Sequence, residues 1–235
     1  MPERVPGPSR AAAPLPPALV AGYTAFRSGA YPRARERYRQ LAEAGQRPAT
    51  MVVACSDSRS APEAVFDAGP GELFVVRNVA ALVPRYAPDA TLHGVSAALE
   101  YAVLALAVES VVVMGHGRCG GIAAALDDRS PLSTTDFVGT WVAGIRELAD
   151  GLDTGPAGVP ATAPAEVRRL ALERRSVEQS LANVRTFPWV ASREAAGALT
   201  LHGAWFDIGL GELHALGPQG WQPVSPARPS EGRRA

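Results

Sequence analysis

Lysine is absent from this 235-residue chain, so all 23 of its Lys-or-Arg positions are arginine. Together with many Ala, Gly and Pro, this is a compositional bias and carries no functional message. An excess of either charge is also lacking, because Lys+Arg 23 and Asp+Glu 23 balance to zero. A dedicated nucleic-acid or anionic-membrane binder needs a basic arm or face, and neither is implied. Cysteine is scarce. Cys55 and Cys119 are too few for a disulfide scaffold, although one bridge stays open. No apolar run is long enough to span a bilayer, since the richest, from Leu99 to Met114, contains Glu100, Glu109 and Ser110. Prolines interrupt the N-terminal stretch MPERVPGPSRAAAPLPPALVAGY, which argues against a signal peptide. A soluble cytoplasmic protein is expected, with no nucleic-acid or membrane partner. What is present, 47% hydrophobic and 20% charged residues, suits one large globular domain or at most two small ones.

The expected organisation is a flexible arm over 1–17, a single domain over 18–225 and a polar tail over 226–235. Leu19–Phe26 and Ala34–Ala44 suggest helices, with Gly45 as a stop. Thr50–Ala54 is a short apolar run that ends in Cys55-Ser56-Asp57-Ser58-Arg59, and reads as a buried strand with polar residues at its C-terminal end. Leu73–Val76 and Val111–Met114 read as further strands. The second of these runs into Gly115-His116-Gly117-Arg118-Cys119-Gly120-Gly121. Helices are expected over Gly94–Val108, Ile122–Leu126, Asp136–Leu148 and Ala165–Arg185, with a loop over Asp150–Pro164 and Pro188 ending that region. Leu199–Ile208, a Gly209-Leu210-Gly211 turn and Glu212–Leu216 read as a C-terminal hairpin. The pattern predicts an α/β fold, with a central mostly parallel sheet flanked by helices. In such folds ligands bind beyond the carboxyl ends of the strands, where both cysteines fall.

His116-x-x-Cys119 on a glycine-rich turn offers an imidazole and a thiolate that suit zinc. Cys55, at another strand end, is the natural third ligand. A Cys2His set leaves one position open, as catalytic zinc requires. Asp57 could accept a hydrogen bond from zinc-bound water, and Arg59 could clamp that carboxylate and keep it ionised. Two thiolates neutralise the ion, so its water should be less acidic than on an all-histidine zinc, where the pKa is about 7. Activity rising toward alkaline pH follows. Each element also has a plainer reading. Cys55 is compatible with ordinary core. The two cysteines are compatible with a redox pair, although C-x-x-C is absent. The glycines are compatible with a phosphate turn, although no P-loop or dinucleotide fingerprint is present. Asp57 and Arg59 are compatible with a helix cap and its ion pair.

C-S-D-S-R at 55–59 and G-H-G-R-C-G-G at 115–121 resemble the two signatures of the β-class carbonic anhydrases, bacterial type. The segments 66–80, 93–102, 180–188 and 201–208 extend the resemblance over nearly the whole chain. It implies the β-carbonic anhydrase fold, with an N-terminal helical arm and a C-terminal antiparallel hairpin. It further implies one Zn2+ per subunit on Cys55, His116 and Cys119, with Asp57 accepting the hydroxide hydrogen bond and Arg59 orienting Asp57. The implied reaction is reversible hydration of CO2 to bicarbonate and a proton, with zinc-bound hydroxide attacking CO2. Backbone N–H groups at Gly120 and Gly121 would steady the developing oxyanion, and Val79 and Leu82 would wall the pocket. In some members the aspartate swings onto zinc at low pH. A homodimer or homotetramer is implied, its N-terminal helices wrapping the partner. Members inhibited by bicarbonate at a separate site carry Trp three residues before the first Cys; Val52 stands there, against such regulation here. Ala81 and Ser60 are further departures, where the family often has Asn and Val. His93 and His202 are proton-carrier candidates, set against the commoner histidine bonded at an element end; His214 receives no role. The same fold serves carbonyl sulfide and carbon disulfide hydrolases, and a non-catalytic zinc- or bicarbonate-binding member is the third reading.

Overall fold

The computed structural model describes residues 13–126, 131–154 and 158–225. Most of the expected arm and all of the expected tail lie outside these residues. The chain divides into two compact units, Met1–Gly45 and Gln46–Ala235. In the first, Pro17 starts helix α1 (Pro17–Ser28), where its fixed φ and missing N–H cost nothing, and α2 follows over Ala30–Ala44. Gly45, at φ 77, ends α2 in a conformation that favours glycine. Tyr23, Phe26, Tyr31 and Tyr38 form an aromatic cluster between these two helices, with centroids 5.6–6.5 Å apart.

The second unit is built on a six-stranded sheet: β1 (Thr50–Cys55), β2 (Leu73–Asn78), β3 (Ser110–His116), β4 (Thr200–Asp207), β5 (Glu212–Gly217) and β6 (Gly220–Pro223). The strand order is β2-β1-β3-β4-β5-β6. The first four are mutually parallel and the last two antiparallel, as the mostly parallel reading requires. The same unit contains helices α3 (Pro62–Val65), α4 (Gly94–Glu100), α5 (Gly120–Leu126), α6 (Phe137–Trp141), α7 (Ala143–Asp150), α8 (Ala165–Val184) and α9 (Pro188–Ala195), and a short 3-10 turn over Val79–Ala81. β1 is apolar at successive positions because both of its faces are covered. Met51 and Val53 join Val111, Val113, Leu99, Val103, Val177 and Phe187 on one side, while Val52 and Ala54 meet Met114 and Ala204 on the other. Each such fully buried aliphatic side chain stabilises the fold by about 1.5–3 kcal/mol.

Four expectations need correction. The helix expected over 94–108 is α-helical only to Glu100 and continues as a π-turn over Tyr101–Ala105, in which Leu106 N–H donates to Tyr101 O. One extra residue per turn does not disturb the apolar periodicity enough to be seen in sequence. The helix expected over 136–148 breaks at Val142 into α6 and α7. Pro188 does not end a region but starts α9, occupying its first turn. The hairpin gains a third strand, β6, whose mixed residues carry no alternation.

Candidate metal centre

The register of the sheet assembles the site. Ala54 lies beside Met114 and Cys55 beside Asn78, so the ends of β1, β2 and β3 form one rim. Cys55 closes β1, His116 closes β3, and Cys119 follows on a tight turn that needs Arg118 at φ 57. Cys55 Sγ and Cys119 Sγ are 3.9 Å apart. With one His116 ring nitrogen, the donor atoms all lie within 4.8 Å of one another. The three residues are buried, at 5%, 3% and 1% exposure for Cys55, Cys119 and His116. The glycines of this turn are structural: a Cβ at Gly115 would meet Val177 Cγ2 at 2.7 Å, and one at Gly117 would meet Trp205 Cζ2 at 3.1 Å.

The donor chemistry fits a soft divalent metal ion. His116 Nδ1 lies 2.9 Å from Gly117 O. A carbonyl only accepts, so Nδ1 carries the hydrogen and Nε2 keeps its lone pair. That Nε2 is buried and lacks a hydrogen-bond partner. Burial alone would lower the His116 pKa, but the Cys55 sulfur and the Gly117 carbonyl outweigh it and raise it. Two sulfurs this close do not both ionise without a cation. The Cys55 thiol is pushed down, first by a hydrogen bond from Cys119 and with help from His116 and the N–H groups of Asp57 and Ala80, against burial. Cys119 is pushed up by its hydrogen bond to Cys55 and by burial, although the N–H groups of Ile122 and Gly121 favour its anion. Peptide dipoles thus converge on both sulfurs, and Cys119 faces the first turn of α5. A metal ion held by Cys55, His116 and Cys119 would replace the shared proton and give the Nε2 lone pair a partner.

Asp57 lies beside this donor set, its Oδ2 4.0 Å from His116 Nε2. The Arg59 fork holds its carboxyl well below the usual carboxylate range, against a desolvation cost. Arg77 fixes the segment from behind, donating from Nε to Cys55 O at 2.8 Å and from Nη2 to Asp57 O at 2.6 Å. Leu82 packs into the apolar cluster that contains Cys55, Ala80, Cys119 and Ile122. Val79 is exposed, and a Cβ at Gly121 would meet its Cγ1 at 2.7 Å. Gly120, Gly121, Val79 and Leu82 therefore gather around the candidate ligands, and the Gly121 N–H favours the Cys119 anion. The histidines beyond His116 stay outside the three-residue donor cluster. His93 Nε2 is bound to Asp89 Oδ1 at 2.7 Å and sits 2.9 Å from Thr91 Oγ1, while His202 is exposed on β4.

Glu173 is the residue that sequence reasoning missed. It sits on α8, 3% exposed, and accepts the Cys119 N–H on Oε1 at 3.3 Å and the Trp205 indole N–H on Oε2 at 3.2 Å. Burial raises its pKa, while those two donors, the Arg118 N–H and the Arg169 charge oppose the rise. The available signal was a carboxylate on the stripe formed by Leu172, Val177, Leu181 and Val184, where a helix otherwise buries apolar residues.

A mostly parallel sheet whose strand ends bring two thiols and one imidazole together beside an arginine-clamped aspartate defines an α/β protein with a candidate metal site on the sheet rim. Residues 50–213 match the family model described as carbonic anhydrase. The chain is 38% identical over 199 residues to a carbonic anhydrase of Pseudomonas aeruginosa, covering 84% of this chain and 86% of that one. The solved structure of the β-carbonic anhydrase CcaA superposes with a TM-score of 0.78 at 30% identity, covering 90% of this chain and 92% of that one. A structure among two tetrameric β-carbonic anhydrases of Sordaria macrospora superposes at 0.72 with 27% identity, covering 88% and 98%. The chain belongs to the carbonic anhydrase family, in its β class.

Proposed function

We propose that this protein is a zinc-dependent carbonic anhydrase, catalysing reversible hydration of CO2 to bicarbonate and a proton. The observation that carries the reading is the convergence of Cys55, His116 and Cys119 beside the Asp57–Arg59 pair. The three ligands would hold the ion. A bound zinc would supply Lewis acidity and lower the pKa of its water, so that the water becomes a nucleophile increasingly toward alkaline pH. Asp57, kept ionised by Arg59, accepts a hydrogen bond from the attacking water and so orients its lone pair. Val79 and Leu82 offer CO2 an apolar wall. Water adds to the carbon, bicarbonate leaves, and one proton passes to solvent.

The metal site also supports a reducing compartment, because both thiols must stay free to act as ligands. Among the described residues no helix is long and apolar enough to cross a membrane, and we read the protein as cytoplasmic. We read it as a homodimer or homotetramer. Leu19, Val20 and Tyr23 of α1 are 61%, 48% and 62% exposed, which is the apolar surface such an assembly would cover. Sedimentation of a monomer at micromolar concentration would contradict this.

The test of function is stopped-flow CO2 hydration by the wild type and Asp57→Ala, alongside zinc analysis. One zinc per subunit with hydration lost in the variant supports the proposal. Zinc bound by a wild type that does not hydrate CO2 would identify a non-catalytic member.

A further inference from the structure

Arg77 stands on β2 opposite Ala54 of β1 and is half-buried. Its guanidinium takes two backbone oxygens that lie two residues apart: Nε donates to Cys55 O at 2.8 Å and Nη2 to Asp57 O at 2.6 Å. Between these two carbonyls, Ser56 N–H donates to Asn78 O at 2.9 Å. The 55–57 segment is thus held at three backbone points, all by residues 77 and 78. Asp57 O also accepts Ser60 N–H at 3.2 Å and the Ser60 hydroxyl at 3.3 Å, which closes the turn after β1. Each end of the gripped segment carries a side chain of the site. Cys55 supplies a sulfur to the donor cluster, and the Asp57 carboxylate lies beside that cluster.

We propose that Arg77 is a positioning residue of the metal centre: one guanidinium on the carbonyls of Cys55 and Asp57 fixes the ligand thiol and the carboxylate relative to each other. Arg59 sets the direction of the Asp57 carboxylate through its two oxygens. Arg77 sets the backbone from which that carboxylate hangs, together with the backbone of a ligand. The donors of a guanidinium leave its plane-fixed fork in set directions, so the two carbonyls cannot shift independently while both bonds stay made. The charge on the donor strengthens both bonds. A displacement of about 1 Å in such a positioned group can cost a reaction about 100-fold. Hydrogen bonds that orient a ligand residue also tune how firmly the ion is held.

The inference rests on the metal-centre reading, and its test separates the two. Full-length protein loaded with zinc is mixed with a competing chelator, a cobalt-loaded sample is scanned for its thiolate-to-metal absorption band, and CO2 hydration is measured on the zinc form. Arg77→Met keeps an unbranched side chain and removes the donors. It should release zinc roughly three- to tenfold faster than wild type, the scale of one lost hydrogen bond, and shift the cobalt band. Its hydration rate should fall about 10–100-fold. Arg59→Lys leaves the Cys55 carbonyl bound, so it should lose hydration while releasing zinc at the wild-type rate. Both changes act on one carboxylate, and in the double variant their losses should fall well short of multiplying. Arg77→Lys keeps the charge and loses the fork; it should show the same effects in smaller measure and answers the question if the methionine variant does not fold. Wild-type release with an unshifted band in a folded Arg77 variant, or losses that multiply in the double variant, would overturn the inference. A wild type that binds neither metal would overturn the metal-centre reading itself.

Discussion

Arg59 meets Asp57 in a two-point fork, Nε to Oδ1 at 2.9 Å and Nη2 to Oδ2 at 2.7 Å, while its own backbone N–H also reaches Oδ1 at 2.9 Å. The same Nη2 donates to Arg118 O at 3.3 Å. A contact local in sequence therefore also ties the loop after β1 to the turn after β3, between His116 and Cys119. The aspartate is oriented by both loops that carry the candidate metal ligands.

Arg59→Lys should keep the metal and lose activity by about 10–100-fold, because a lysine gives a point charge where the carboxylate needs a planar fork. The pH dependence should change in a defined direction. The depressed Asp57 pKa means that its ion pair contributes above the ordinary carboxylate pKa of about 4 and is lost as pH falls below it. Without the fork the pKa returns upward toward the ordinary carboxylate range, so loss of the Asp57 anion, and of the activity that needs it, should set in at higher pH, toward about 4 and well below the alkaline rise. Profiles of both proteins, with zinc content measured beside them, check this.

Metal removal should abolish activity and lower thermal stability together. The emptied site leaves two buried thiols 3.9 Å apart and an unpartnered His116 Nε2. A chelator-treated sample should melt below the loaded one, and added zinc should restore both the melting temperature and the hydration rate. His116→Ala should resemble the treated wild type and not respond to zinc.

Glu173→Leu should destabilise the fold by about 2–4 kcal/mol, since it leaves the Cys119 and Trp205 N–H groups buried without an acceptor. Glu173→Gln keeps one acceptor oxygen but turns an amide donor toward one of those N–H groups, so its loss should be smaller. Combining it with Trp205→Phe, which removes one competing donor, should recover part of that loss. Denaturant melts of the metal-free proteins give the comparison.

Neighbouring glycines should respond differently to the same methyl group. Gly121→Ala should cost about 1–3 kcal/mol and lower activity, because the new Cβ would meet Val79 Cγ1 at 2.7 Å and Ala80 Cβ at 2.9 Å. Gly120→Ala meets nothing within 4 Å and should be close to neutral in stability. Thermal melts and hydration rates of the pair decide it.

The sequence alone determined the parallel sheet, because the apolar runs at 51–54 and 111–114 have no solvent-facing alternation and so must be covered on both sides. It also placed Cys55, His116 and Cys119 at strand ends and marked Asp57 and Arg59 as a local pair, since those relations are short-range or follow from parallel topology. Only the tertiary structure decided that Glu173 reaches Cys119 across 54 positions and that Trp141 reaches Val79 across 62. The same holds for the left-handed turn at Ala80 and Ala81, the π-turn at Tyr101 and the break at Val142. Each depends on which buried donor finds which buried acceptor after the layers have packed. That matching is set by three-dimensional proximity, and residue spacing along one chain does not encode it.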